Sequence, residues 1–461
     1  MERKNGFRRV SLCLMFALCL CIVSHSPLFA AGARSSSGTD GLTTIRVWTD
    51  NASDRVVREQ QIARYNEGEG RQKGIFIDYT VYGANYHDVI RNAALADVAP
   101  EIFRSTGELI TQFQAAGKLV ALEDMPGGRE MIGMYNPTDL QKNLQIFNGK
   151  TYSLPYSMTT FKLIINKTMF DEAGITPDRY PKTWADVRTI ARQLTNTSQG
   201  KYGFITGLNS AWIMRSYLTM PNGQNIGHTG FNNGTLQFEF SKHLTAVEAV
   251  YGMVTDGSMF PGFEGLDADM MRARFAEGNI GMIMGASFDC GVYNTQFPAK
   301  MDWLPIDPPT DRAGNPQYRA FVDASNLLTI GNAALKTTEK AMEVFKFFYS
   351  DANLAELYVA GLYVPFRQQA LALARGEPQA KGFKEFASVP NPAIGPATPE
   401  NRIQVEGLAY RETLQRIFSR GYNEPIAQIL ADLDRRYNEA VGRLPRDVQE
   451  DFRANVDFSR R

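Results

Sequence analysis

The chain has 461 residues, enough for a large core and for more than one domain at about 150 residues each. Hydrophobic residues make up 44% and charged residues 21%, the balance of an ordinary globular protein. Basic and acidic residues number 49 each, so no basic excess draws in nucleic acid, and no nucleic-acid partner is expected.

The N-terminus reads as a separate object. Arg3, Lys4, Arg8 and Arg9 precede VSLCLMFALCLCIV, an apolar run of 14 residues over 10–23. A spanning helix needs about 20 residues; this length suits the core of a signal peptide. Ala31 and Ala33 give an A-x-A cleavage pattern, so residues 1–33 are assigned to a signal peptide and 34–42 to a flexible leader. No other stretch approaches a transmembrane span. Cleavage takes four basic residues and Glu2 from totals of 49 and 49, leaving 45 and 48, a net charge of −3. It also removes Cys13, Cys19 and Cys21, so Cys290 has no internal disulfide partner. The alternative is a lipoprotein anchored at Cys19 or Cys21, although neither follows the small residues usual before such a cysteine.

Folded sequence begins at TTIRVWTD, where Ile45 and Val47 alternate as in a strand. RVVREQQIARYNE, 55–67, sets Val56, Val57, Ile62 and Tyr65 on one helix face. IFIDYTVY, 75–82, alternates as a second strand, and a helix and a third strand follow around Pro100. This alternation predicts an α/β protein whose sheets are mostly parallel and flanked by helices. FKLIIN is a further strand, running into the short helix KTMFDEA, which stops at Gly174. Thr183 and Asp186 fit a capping box, opening a helix with Trp184, Val187, Ile190, Ala191 and Leu194 inward. Strands are predicted at 201–208, 280–287 and 327–331, and helices at 243–256, 272–278 and from Thr338. Residues 376–400, rich in Pro and Gly, read as an irregular connection. The last helix opens at Pro425 with Ile426, Ile429, Leu430, Leu433, Tyr437 and Val441 as its stripe.

Catalytic patterns are missing from the sequence. His87, His228 and His243 are scattered, read as surface or loop residues, and form no zinc motif. There is no G-x-S-x-G elbow, no phosphate loop and no dinucleotide fingerprint, so no catalytic residue, metal or cofactor is assigned. DADMM, 267–271, reads as a solvated helix start and not a calcium loop.

One long stretch carries a resemblance. YSLPYSMTTFKLIINKTMFDEAGITPDRYPKTWADVRTIARQLT is similar to a pattern of the extracellular solute-binding proteins of bacterial ABC importers, the group that includes maltose-binding protein. Its marks are Pro155, Asn166-Lys167, Ala173-Gly174 and Pro181-Lys182-Thr183-Trp184. APEIFRSTGELITQF, with Glu101 where the family has Asp, and RFAEGNIGMIMGAS, with Gly281 where it has Ala, agree in order, as does the 327–366 block. The resemblance implies two lobes with a ligand cleft between them: 43–155 with 318–364, and 160–315 with 367–461. Hinge crossovers would fall at 156–159, 316–317 and 365–366. It also implies a periplasmic or extracellular monomer that hands its ligand to an ABC permease.

In open α/β sheets ligands sit beyond the carboxyl ends of strands. That rule selects Trp48, Asp50 and Asn51 after the first strand, and Arg104, Ser105 and Thr106 after the third. It selects Ser287, Phe288 and Asp289 after IGMIM, and Asp323, Ser325 and Asn326 lie just before LLTIG. Carboxylates, amides and guanidinium groups suit paired sugar hydroxyls, and aromatic faces suit the apolar side of the ring. The aromatic choices are Trp48, Trp212, Phe288 and Tyr363, with Arg367 after the proline turn. The ligand expected is a carbohydrate; a secreted glycoside hydrolase, or a binding protein feeding a sensor, are the alternatives.

Overall fold

Three sheets set the architecture. The computed structural model describes residues 41–209, 226, 229–311, 319–389 and 392–454, without the side chains of Thr138 and Ser325. The assigned signal peptide, nearly all of the leader, Trp212, His228 and the 316–317 crossover lie outside these residues.

In the first sheet, Thr43–Thr49 lies between Ile75–Val81 and Ile102–Ser105 and is parallel to both. Leu327–Gly331 then pairs antiparallel with Ile102–Ser105, and Leu119–Val120 closes the edge antiparallel to it. Ile45 and Val47 are fully buried and pack with Ile62 and Tyr65 of helix Arg55–Glu67. Helices Tyr86–Leu95 and Gly107–Ala115 cover the other face through Ile90, Leu109, Ile110 and Phe113, around Phe103. Period-2 burial on the strand and helices on both faces follow from alternating apolar residues.

The second sheet runs Trp303–Ile306, Phe161–Asn166, Ile280–Ala286, Tyr202–Ile205. Phe161–Asn166 and Ile280–Ala286 are buried along their whole length, which explains their apolar runs; the buried Lys162 and Asn166 bond Asp307 and the Gly278 and Ile280 carbonyls. Both neighbours of Phe161–Asn166 are antiparallel to it, and only the Ile280–Ala286 and Tyr202–Ile205 pair is parallel. Both sheets are therefore mixed, where the sequence rhythm predicts mostly parallel ones. Strands that enter a sheet from a distant part of the chain need no helical crossover and are free to run antiparallel.

Helix Trp184–Leu194 covers this sheet. Thr183 Oγ1 accepts from the Asp186 amide (3.1 Å), and Asp186 Oδ2 accepts from the Thr183 amide (2.9 Å), the expected capping box. Trp184 is fully buried, edge-on to Phe204 at 6.4 Å. Close approach of helix and sheet requires glycine. A Cβ on Gly203 would lie 2.0 Å from the Ala191 carbonyl oxygen, and one on Gly281 would lie 2.5 Å from Leu194 Cδ1. That clash accounts for Gly281 standing where the resembled pattern has alanine.

The third sheet is small: Val364–Pro365, Ser157–Thr159, Phe321–Ser325 and Ala393–Ile394. Two of its strands lead straight into the large sheets. Ser157–Thr159 precedes Phe161–Asn166, and Phe321–Ser325 precedes Leu327–Gly331, with Asn326 alone between them in the left-handed region at φ 57°.

Several local readings change. Helix Arg55–Glu67 buries Arg58 and Gln61 with Ile62 and Tyr65, and exposes Val56, because Arg58 is paired internally. His243 is core, stacked on Tyr410 at 5.9 Å, and not a surface residue. The helix from Thr338 ends at Phe348, and Ser350 caps a further helix, Asp351–Val359, by accepting from the Asn353 amide. Helix Tyr410–Phe418 lies in a region not read as helical. Pro425 is the cap of Ile426–Gly442 and not its first helical residue. Among the described residues no helix is long and apolar enough to cross a membrane.

Candidate functional site

Strand Thr43–Thr49 ends at Asp50 and Asn51, beside the end of Ile102–Ser105 and next to Asn326. Asp50 Oδ1 accepts from Arg104 Nη1 at 2.5 Å, and its other oxygen lies 3.8 Å from His87 Nε2. Arg104 Nε donates to Asn326 Oδ1 (3.2 Å), and Asn51 Nδ2 donates to the same oxygen (3.0 Å). Burial pulls the Arg104 guanidinium down, but the Asp50 carboxylate together with Tyr156 and Tyr363 outweighs this and holds it raised. The Trp48 ring packs 5.0 Å from Tyr82, which continues to Tyr86 at 6.0 Å. The Tyr86 hydroxyl donates to the Trp48 and Arg104 carbonyls, fixing the two strand ends together. Amide, carboxylate and guanidinium thus meet at one place, and the Trp48 indole lies against Tyr82 at the end of the neighbouring strand.

Behind them lies a buried polar group. Asn51 Nδ2 also donates to the Tyr363 hydroxyl, which donates to Asp54 Oδ2 at 2.8 Å. Asp54 faces Arg58 (Nε to Oδ2 3.5 Å), and both are almost fully buried. The Arg58 guanidinium lies 5.5 Å from the Tyr156 ring centre and 5.1 Å from that of Phe348. Burial pushes Tyr363 well above the usual phenol range and Tyr156 up to about 12, and raises Asp54.

The small sheet carries the next members. Asn326 Nδ2 donates to Ser157 Oγ at 3.0 Å. Asp323 pairs in register with Thr159, and Ser325 with Ser157. Burial raises the Asp323 carboxyl to about 6, and no described side chain bonds it. Three residues along, Thr160 bonds the other set: the Ser287 amide donates to the Thr160 carbonyl (2.9 Å), and Ser287 Oγ accepts from the Thr160 amide (3.4 Å). Strand rise is about 3.3 Å per residue, so the strand ends of the two large sheets are tied to points about 10 Å apart on one short strand.

Other chosen side chains are engaged in structure. Ser105 is buried with its hydroxyl on Thr329 Oγ1 (2.8 Å). Thr106 caps helix Gly107–Ala115 by accepting from the Leu109 amide (3.3 Å). Asp289 is buried, accepts from the Ala286 amide (2.8 Å) and sits 2.8 Å from Arg272 Nε. Phe288 is exposed, with Arg272 over its ring at 5.4 Å. Arg367 pairs with Asp351 at 2.8 Å and lines a separate pocket of about 390 Å³ with Tyr135, Asp139, Arg319 and Phe366. Trp212 and the Ser325 side chain lie outside the description. The strand-end rule also reaches Tyr82, directly after Ile75–Val81, which sequence reading passed over. Ser157 and His87 carried no sequence signal.

The family description "Bacterial extracellular solute-binding protein" matches residues 60–355, more than half of the chain. The chain belongs to this family. This solute-binding protein is 26% identical over 246 residues to the sn-glycerol-3-phosphate-binding periplasmic protein UgpB of Pectobacterium atrosepticum, covering 52% of each chain. It thus spans about half the length of the curated relatives it matches. Its fold is that of apo RafE from Streptococcus pneumoniae, with TM-score 0.65 and 15% identity over 87% of this chain and 98% of RafE. The sugar-binding protein MalE of Xanthomonas citri is equally similar in fold, at TM-score 0.65 and 17% identity over 87% of this chain and 98% of MalE.

Proposed function

We propose that this chain is the extracytoplasmic component of an ABC importer. It captures a sugar or oligosaccharide between two lobes by hinge closure and delivers it to a membrane permease, acting as a monomer. The observation that carries the reading is the strand Ser157–Thr159 with its next residue, Thr160. Ser157 holds the first sheet's strand ends through Asn326, and Thr160 holds the second sheet's through Ser287. A solute spanning the two sets would bias the hinge, because a ligand shifts a population by binding one state better. The small sheet would be the hinge, with lobe one at 43–155 and 318–364 and lobe two at 160–315 and 367–461. Asp50, Arg104, Asn51 and Asp323 supply the planar polar groups that paired hydroxyls use, and Trp48 with Tyr82 supplies a ring face. The relatives named for sugar and for sn-glycerol 3-phosphate both bind small polyhydroxylated solutes by their names.

A melting-shift panel of maltose, raffinose, xylobiose and sn-glycerol 3-phosphate tests the reading. A ligand at 100 times its Kd stabilises by about 2.7 kcal/mol. Stabilisation without product supports capture; release of monosaccharide makes the chain a glycoside hydrolase. Trp48→Ala together with Trp212→Ala is expected to abolish the shift while unfolding stays cooperative, and an undiminished shift refutes the aromatic assignment. Residues 1–33 act as the export signal in this reading. Mass spectrometry of the exported protein distinguishes a new terminus near Ala33 from a lipid on Cys19 or Cys21.

A further inference from the structure

Asn326 lies where the strand-end rule places it, but its amide is bonded within the protein, so direct contact with a solute does not explain it. It is the single residue between Phe321–Ser325 of the small sheet and Leu327–Gly331 of the first large sheet. Its backbone is left-handed at φ 57°, a conformation asparagine tolerates better than most residues. It is buried, and its amide is used at both ends. Oδ1 accepts from Arg104 Nε and Asn51 Nδ2, and Nδ2 donates to Ser157 Oγ. Arg104 in turn holds Asp50, and Asn51 also reaches the hydroxyl of Tyr363, the residue before the small-sheet strand Val364–Pro365. One polar chain therefore joins three separate passages of the backbone through the small sheet to the strand ends that face the solute.

We propose that Asn326 is a positioning residue: its amide couples the rotation of the small sheet to the placement of Arg104 and Asn51. The inference rests on the solute-binding reading and on the small sheet being the hinge. Rotation between Phe321–Ser325 and Leu327–Gly331 must pass through the torsions of residue 326, since no other residue separates the strands. With the amide bonded to Ser157 on one side and to Arg104 and Asn51 on the other, any such rotation moves the solute-facing groups with it. Hydrogen bonds of this kind, buried and partly to a charged group, add geometric specificity beyond their energy. Bistable, fully bonded elements are the usual carriers of such coupling.

Three variants separate coupling from folding. Asn326→Gly keeps the left-handed backbone and removes the amide. Asn326→Asp keeps both acceptor bonds and reverses the third, since the Ser157 hydroxyl then donates to the carboxylate, whereas Ser157→Ala removes that link. Each is compared with wild type by thermal melting, by dissociation rate of the best-stabilising member of the four-compound panel, and by the distance between fluorophores on the two lobes. The expectation is cooperative melting for all three. Ser157→Ala should release ligand about tenfold faster with an unchanged association rate, because closure is no longer held, and Asn326→Asp, which keeps the link, should release it at close to the wild-type rate. Asn326→Gly should bind at least about tenfold more weakly. Wild-type binding and closure in all three variants overturns the role of Asn326 alone. A wild-type chain that neither binds any panel member nor changes its interlobe distance overturns the solute-binding reading and this role with it. Lost binding accompanied by non-cooperative melting in all three assigns Asn326 to folding and overturns the coupling.

Discussion

The Asp54–Arg58 pair gives the sharpest test of the buried polar group behind the strand ends. Arg58 and Asp54 are 1% and 2% exposed, with Nε and Oδ2 3.5 Å apart. Removing one member of a buried pair leaves an uncompensated charge and costs about 3–5 kcal/mol, whereas replacing both by apolar or neutral groups is often close to neutral. The two single changes differ in kind. In Asp54→Asn the guanidinium keeps its charge at every accessible pH, with the Gln61 side-chain oxygen (3.1 Å) and the Tyr156 and Phe348 rings beside it but no opposite charge, so the loss should not vary with pH. In Arg58→Met the carboxyl can take up a proton. Its folded pKa is already above the ordinary value because of burial, and loss of the opposing arginine raises it further. A carboxyl whose folded pKa exceeds its unfolded one binds more protons when folded, so stability falls as pH rises through that pKa. The Arg58→Met deficit should therefore shrink from pH 7.5 to pH 5, while the Asp54→Asn deficit stays. In the double variant the costs should fall short of their sum by at least about 2 kcal/mol. Urea unfolding followed by circular dichroism at both pH values reads all four corners of the cycle. Additive costs, or single losses under about 1 kcal/mol, refute the pairing as a buried charge couple.

Two further outcomes are expected. Asp323, with its carboxyl at about 6, should make unliganded wild type lose stability relative to Asp323→Asn as pH rises from 4.5 to 7.5, since the folded carboxyl is the better proton binder across that window; parallel melting-temperature profiles for the two proteins would refute it. Gly203→Ala should cost about 1–3 kcal/mol by overpacking, because its Cβ meets the Ala191 carbonyl 2.0 Å away, and a wild-type melting temperature would show that the helix yields freely.

Elements announced by local chemistry were legible in the sequence. The Thr183 box, the buried Trp184 stripe and the strands built on apolar runs appear where expected, because caps and apolar periodicity act within a few residues. Arg58, Gln61 and His243 were misplaced because they are met by Tyr156 and Phe348, by Asn353 and by Tyr410, partners far along the chain that hydropathy does not record. The break at Ser350 was hidden because apolar residues continue on both sides of it. At the candidate site, strand ends named Asp50, Asn51 and Asn326, which the structure brings together. The rule also named Ser105 and Asp289, whose groups turn inward to Thr329 and Arg272, because it reads chain position and not side-chain direction.

The pairing of Leu327–Gly331 between Ile102–Ser105 and Leu119–Val120 bears on how the chain is made. Phe103 meets Thr329, its partner in the register, only after 225 intervening residues have been synthesised. Until then Ile102–Ser105 and Leu119–Val120 both have open edges, and no N-terminal fragment ending before residue 327 holds the complete first sheet. Contacts so distant in sequence slow folding, since the long loop must close before they form. A chain built this way keeps its first sheet unfinished while the rest is being made.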